Sequence, residues 1–172
     1  MKIVEGLKRM RVIEKKLVQN ADNVTRYASM VSTEKPLFET DVKQKKEVNS
    51  LLQSSNDLLT EYLGIKRKVE ETNLAVFATI DGTKYSLSDL LIIKRKMASQ
   101  MMFVYQSLND TEGKKRLGQV RGWGAGEGGN TPTVVRFYKE EDKNAGLKKW
   151  QELYDNIDSR LEVINATTDM IE

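Results

Sequence analysis

Four stretches of this chain repeat apolar residues at alternating three- and four-residue spacing, a period that restricts each to an amphipathic helix with one buried stripe. The first carries Ile3, Leu7, Met10, Ile13 and Leu17, and is expected to fray near Asn20 to Asn23. In the second, Val48, Leu51/Leu52, Ser55, Leu58/Leu59, Tyr62, Ile65 and Val69 hold a heptad spacing, interrupted only by Gly64, which costs a helix about 1 kcal/mol relative to Ala. The third runs from a Ser86 or Ser88 cap through Leu87, Leu91, Lys94, Met97/Ala98, Met101, Val104/Tyr105 and Leu108. The last is the most regular, with Leu147, Trp150, Tyr154, Ile157, Leu161, Ile164 and Thr168.

Three other segments read as β-prone. VTRYASMVS (24–32) alternates with period two and predicts a strand ending before Lys35-Pro36. Asp81-Gly82 is a turn between Val76 to Ile80 and Lys84-Tyr85. The branched and aromatic run 133–138 is the expected partner of 24–32. The fold class that follows is mainly α: an elongated antiparallel helical bundle or coiled coil of about four helices with a small β element. It is expected as a single helical domain over 1–172, with a Gly/Arg-rich loop insertion at about 113–132. Two-in-seven seams are narrow, so subunits of a homo-oligomer are expected to complete the core.

That insertion departs most from a helical plan. Between Arg116 and Arg136 lie six of the chain's 11 glycines. A helical scaffold needs only a few residues to turn a corner, so a connection this long is either disordered or functional. Gly124 to Gly129 satisfies GxGxxG, and GAGEGGNT differs from a Walker A loop in Asn130 standing for the lysine. Both patterns require a strand before and a helix after; here a helix precedes and Pro132 follows, which argues against a hydrolytic phosphate loop. A looser anion site survives, because successive backbone N–H groups can cradle an anion and Arg116, Arg121 and Arg136 bracket the loop with bidentate donors. Trp123 could stack on a base. The alternative reading is a solvated loop.

The absence of His and Cys excludes imidazole catalysis, thiolate nucleophiles and Cys-ligated zinc, and no remaining nucleophile has a placed base, so a non-enzymatic protein is expected. The net charge of +3 is mild. Basic runs at Lys43, Lys45, Lys46 and at Lys66, Arg67, Lys68 sit beside acidic residues and read as solvated helix faces rather than a nucleic-acid footprint. The N-terminus is charged and helical, and no stretch approaches about 18 consecutive apolar residues, so a cytoplasmic protein without membrane contact is expected.

The order of motifs resembles the DIP1984 (septicolysin) family of small, largely uncharacterised bacterial and phage proteins. The residues that carry the resemblance are GLKRMRVIEKKL at the N-terminus, Thr72-Asn73 ahead of Asp81-Gly82, Leu87-Ser88-Asp89, and the terminal IDSRLEVINATTDM. In that ending, Ile157, Asp158, Arg160, Leu161, Asn165 and Thr168 match the family pattern, while Glu162 replaces a Gln and Ala166 a Trp. Lys94-Arg95 stands where the family has Arg-Asp. The resemblance implies the helical fold, and the toxin-like family name finds no lytic or membrane-spanning segment here.

The residues singled out for ligand binding are therefore Arg116, Arg121, Trp123, Gly124, Gly126, Gly129, Asn130 and Arg136, with Lys94, whose charge falls on an apolar stripe and needs Asp158 or a ligand phosphate as partner. Asn73, Asp158, Arg160 and Asn165 are read as a polar seam that fixes register. No cofactor or metal is expected. The function expected is a sequestering, sponge-like binder of an anionic nucleotide-like molecule, of the kind a phage could use against host defence; a scaffold or protein-interaction module is the alternative.

Overall fold

The structure, a computed structural model, describes residues 1–122 and 132–171, with backbone alone at Arg121 and Gly122. It is mainly helical. In chain order come α1 (Ile3–Tyr27), α2 (Asp41–Ala75), β1 (Phe77–Ile80), β2 (Thr83–Ser86), α3 (Leu87–Ile92), a π-helical stretch (Ile93–Met97), α4 (Ala98–Gln106), α5 (Thr111–Gly122) and α6 (Glu140–Thr167). The two strands form the one small sheet among the described residues. The chain divides into two compact units, Met1–Phe77 with Glu162–Glu172, and Ala78–Leu161.

In the first unit α1 and α2 pair antiparallel along the predicted stripes. Ile3, Met10 and Ile13 are buried from α1, and Ile65 and Val69 from α2. The register is pinned by polar links across the seam: Arg9 to Glu61 (2.6 and 2.8 Å), Tyr62 Oη to Glu14 (3.0 Å), and Asn20 Nδ2 to Ser55 Oγ (3.1 Å). α1 does not fray at Asn20, and the strand expected over 24–32 is absent: the helix continues to Tyr27. The period explains why. Asn20, Asn23, Val24 and Tyr27 are half-buried at helical spacing, so the same residues that alternate on a strand also continue the stripe of α1.

The turn from α1 to α2 closes around Gln44, which is 7% exposed. Its Nε2 donates to the Tyr27 carbonyl (2.9 Å) and its Oε1 accepts from the Leu37 amide (2.9 Å), while the Tyr27 ring meets Phe38 edge-on at 4.9 Å. Thr40 caps α2 by accepting from the Lys43 amide at 3.2 Å. The same unit joins the two end segments. Ile3 N donates to Thr168 O (3.0 Å) and Met170 N to Met1 O (2.9 Å), forming an antiparallel bridge that Lys2 Nζ reinforces at Asp169 (2.6 Å). Buried Thr72 completes it, donating to Lys68 O (2.6 Å) and accepting from the Ile171 amide (3.0 Å). Met170 lies over Gly6, where a Cβ would stand 2.9 Å from its sulfur.

In the second unit the hairpin turns at Asp81 (φ 49°) and Gly82 (φ 79°), the pair of left-handed positions a two-residue hairpin needs. Ser86 rather than Ser88 caps α3: its Oγ accepts from the Asp89 amide (3.1 Å) and Asp89 accepts from the Ser86 amide (3.0 Å). Leu87, Leu90 and Ala98 are buried along α3 and α4, and Ile157 and Leu161 along α6. Gly146 allows α6 to pass directly beneath the Tyr105 ring, leaving no room for a methyl group.

Two expectations change here. Residues 113–122 belong to helix α5, not to a loop. Its signal is legible in retrospect, since Asp110-Thr111-Glu112 places acids at a helix N-terminus and Lys114, Lys115, Arg116 follow. Residues 133–138 form no strand. A strand needs a ladder partner, and its expected partner is the last turn of α1; the segment is instead held through its side chains, Val134 against Gly113 and Arg136 against Asp110.

Candidate functional site

Of the sequence-predicted ligand residues that the structure describes, Arg116 and Arg121 belong to α5 and Arg136 is tied to its start, while Lys94 lies on the π-helical stretch. Asp110 precedes the helix, its carbonyl accepting the Lys114 amide at 2.9 Å, so its carboxylate sits at the positive end of the helix. Arg136 reaches back to it from beyond the loop, with Nε at 3.1 Å and an Nη at 2.5 Å from one carboxylate oxygen, and Lys114 Nζ lies 2.9 Å from the other. The Asp110 side chain is 15% exposed, half of Arg136's is. Hydrogen bonds from Arg136 and then Lys114 hold the Asp110 carboxyl at about 2, and the same contact raises Arg136. This triad ties the two ends of the segment 111–135 together.

Arg116 lies on the exposed surface of α5, and its side chain has no hydrogen-bond or ion-pair partner among the described residues. Arg121 is on the last turn of the same helix. Trp123, Gly124, Gly126, Gly129 and Asn130 lie outside the described residues. Arg136 is engaged by Asp110, then, while Arg116 is exposed.

Lys94 finds its partner in Asp158. The two form a direct ion pair at the π-helical stretch, with 31% and 46% of their side chains exposed. Lys94 lies within the π turn, and Ala98, which follows it at the start of α4, is buried. Asn73 and Asn165 are half-buried and Arg160 is exposed; none has a side-chain hydrogen bond to another described residue. Polar side chains that do bridge between elements are Asn20 with Ser55, Gln44 and Thr72. A short polar residue on an apolar stripe reads the same in sequence whether its partner is across the seam or in solvent.

A cleft of about 230 Å³ lies elsewhere, at the α1–α2 turn, lined by Tyr27, Met30, Asp41, Gln44, Lys45 and Val48 among others. It contains none of the predicted ligand residues. Among the described residues, no cluster of three or more acidic groups could hold a metal, and no helix is long and apolar enough to cross a membrane.

No protein-family model matches the chain, and no curated protein matches it. One solved structure does: that of a functionally unknown conserved protein from Corynebacterium diphtheriae, 16% identical, covering 99% of both chains with a TM-score of 0.52. The likeness extends along the whole chain and concerns the fold.

Proposed function

We propose that the chain is a non-enzymatic homo-oligomer that sequesters an anionic, nucleotide-like small molecule, and that it is a divergent member of the DIP1984 (septicolysin) family. The full-length likeness to a conserved protein of similar fold supports the family reading. The observation that carries the functional one is the placing of arginines on both sides of the glycine-rich segment. A helix N-terminally anchored at Asp110 carries Arg116 and Arg121 ahead of that segment, and Arg136 fixes its far end to the same anchor. Guanidinium groups on a rigid element adjoining a run of glycines are the parts from which a phosphate cradle is built. In a phage setting such a trap would remove nucleotide signals of host defence, which requires binding without turnover.

A second reading has its own observation. Phe137 is 98% exposed, and Val135 and Phe103 are each 68% exposed, a set of apolar groups suited to docking a protein partner. A thermal-shift screen against mono-, di- and cyclic nucleotides separates the two. Saturating binding should raise the melting temperature by several degrees, and Arg116→Ala or Arg121→Ala should abolish the shift while leaving the unliganded melting temperature intact. Arg136→Ala is expected to lower that temperature itself, because it releases Asp110. A flat screen on the folded protein overturns the nucleotide reading in favour of the scaffold.

A further inference from the structure

α2 carries a second apolar stripe that α1 does not cover. The seam toward α1 uses Leu51, Ser55, Leu58, Tyr62 and Ile65; rotated about a quarter turn from it, Leu52, Asn56, Leu59 and Leu63 follow one another at spacings of four, three and four. Leu52 and Leu59 are each 49% exposed and Leu63 is 44% exposed. Continued outward, the stripe passes Asn49 and Lys66, which would face each other, and reaches Lys45 at one end and Glu70 at the other, all exposed. The spacing is identical read in either direction, so a second α2 laid antiparallel and centred between Asp57 and Leu58 meets it in register. Leu52 then faces Leu63 of the second copy, Asn56 faces Leu59, and Lys45 faces Glu70. A parallel copy would set Lys45 against Lys45 and Glu70 against Glu70, which like-charge repulsion disfavours.

We infer that this stripe is a two-fold interface at which α2 pairs antiparallel with α2 of a second copy of the chain. The occupant follows from charge: leucines flank a central Asn56, and the face bears opposite charges at positions related by the reversal, which is the requirement for an isologous contact. Glu70 already pairs with Lys66 in its own helix at 3.1 Å, so the second copy's Lys45 joins an ordered carboxylate. The inference rests on the homo-oligomeric part of the proposed function and is independent of any ligand at the glycine-rich segment.

Light scattering on the full chain, and crosslinking of single-cysteine variants, test it. The chain has no cysteine of its own, so each introduced thiol reports alone. The wild type should have twice the chain mass, or an even multiple of it, and Leu59→Glu should halve it with helical circular dichroism unchanged. Mixed Leu52→Cys and Leu63→Cys proteins should form the mixed disulfide in preference to either symmetric one. Lys45→Glu should weaken the dimer and Lys45→Glu with Glu70→Lys should restore it. A monomeric wild type overturns both this interface and the oligomeric reading. An oligomer that persists in folded Leu59→Glu, or that favours the symmetric disulfides, overturns this interface alone and leaves the oligomeric reading standing.

Discussion

Gly64 and Gly146 are both helical glycines flanked by ordinary residues, and nothing in their immediate sequence distinguishes them. A Cβ at Gly64 meets nothing within 4 Å, whereas one at Gly146 would intrude on the Tyr105 ring. The same substitution should therefore have opposite signs. Gly64→Ala removes the flexible residue and is expected to stabilise by up to about 1 kcal/mol, while Gly146→Ala should destabilise by about 1–3 kcal/mol through overpacking. Urea denaturation of the two variants measures both, and a stabilising Gly146→Ala would show that the ring is not held there. Asp110 supplies a second residue-scale expectation. Its carboxyl is lowered from 3.8 to about 2, so the folded state binds fewer protons than the unfolded one. The stability it contributes is complete above about pH 4 and disappears as pH falls toward 2. Melting temperature measured from pH 5 to 2 should fall less steeply in Asp110→Asn than in the wild type. Some slope will remain, because Asp169 beside Lys2 and Asp89 beside Ser86 are lowered too. Coincident slopes would mean that Asp110 is not paired in solution.

At the scale of elements, periodicity located the long helices but missed α5 and some of the ends. The stripes of α2 and α6 are where the spacing placed them, and the Asp81-Gly82 hairpin is where a left-handed pair was required. The segment 24–32 misled because Val24, Arg26, Ala28 and Met30 fit period two while Asn20, Val24 and Tyr27 fit the helical period, and only α2 packed alongside decides between them. Gln44 shows what an end depends on. It satisfies the carbonyl of Tyr27 and the amide of Leu37 at once, the first near the end of α1 and the second in the connection to α2. Gln44→Leu keeps the volume but leaves both groups without a partner, and about 1–3 kcal/mol of stability should be lost. Hydrogen exchange should show the loss as faster opening of residues 24–40; unchanged protection there would assign the turn's stability to the Tyr27–Phe38 contact instead.

For the molecule as a whole, the most distant contacts in sequence close the first unit. Ile171 donates to Thr72, Met170 covers Gly6, and Lys2 meets Asp169. Thr72→Val preserves shape but leaves the Ile171 amide without its acceptor, and should cost about 1–3 kcal/mol in chemical denaturation; a neutral result would place the terminal segment outside the cooperative unit. None of these partnerships was legible beforehand, since Thr72 and Asp169 are ordinary helix and turn residues until the chain returns to them. The amino-acid sequence by itself determined that the protein is mainly helical, where the long seams run and which residues turn the hairpin. Those properties follow from period and backbone sterics, both of which are local. The tertiary structure alone decided that Arg136 is tied to Asp110, that of the two partners open to Lys94 it is Asp158 that it meets, that Gln44 and Thr72 form polar links, and that 24–27 is helix rather than strand. Each of those outcomes depends on which groups meet across long sequence separations, and a polar side chain's role is set by the partner it finds rather than by its place in a repeat.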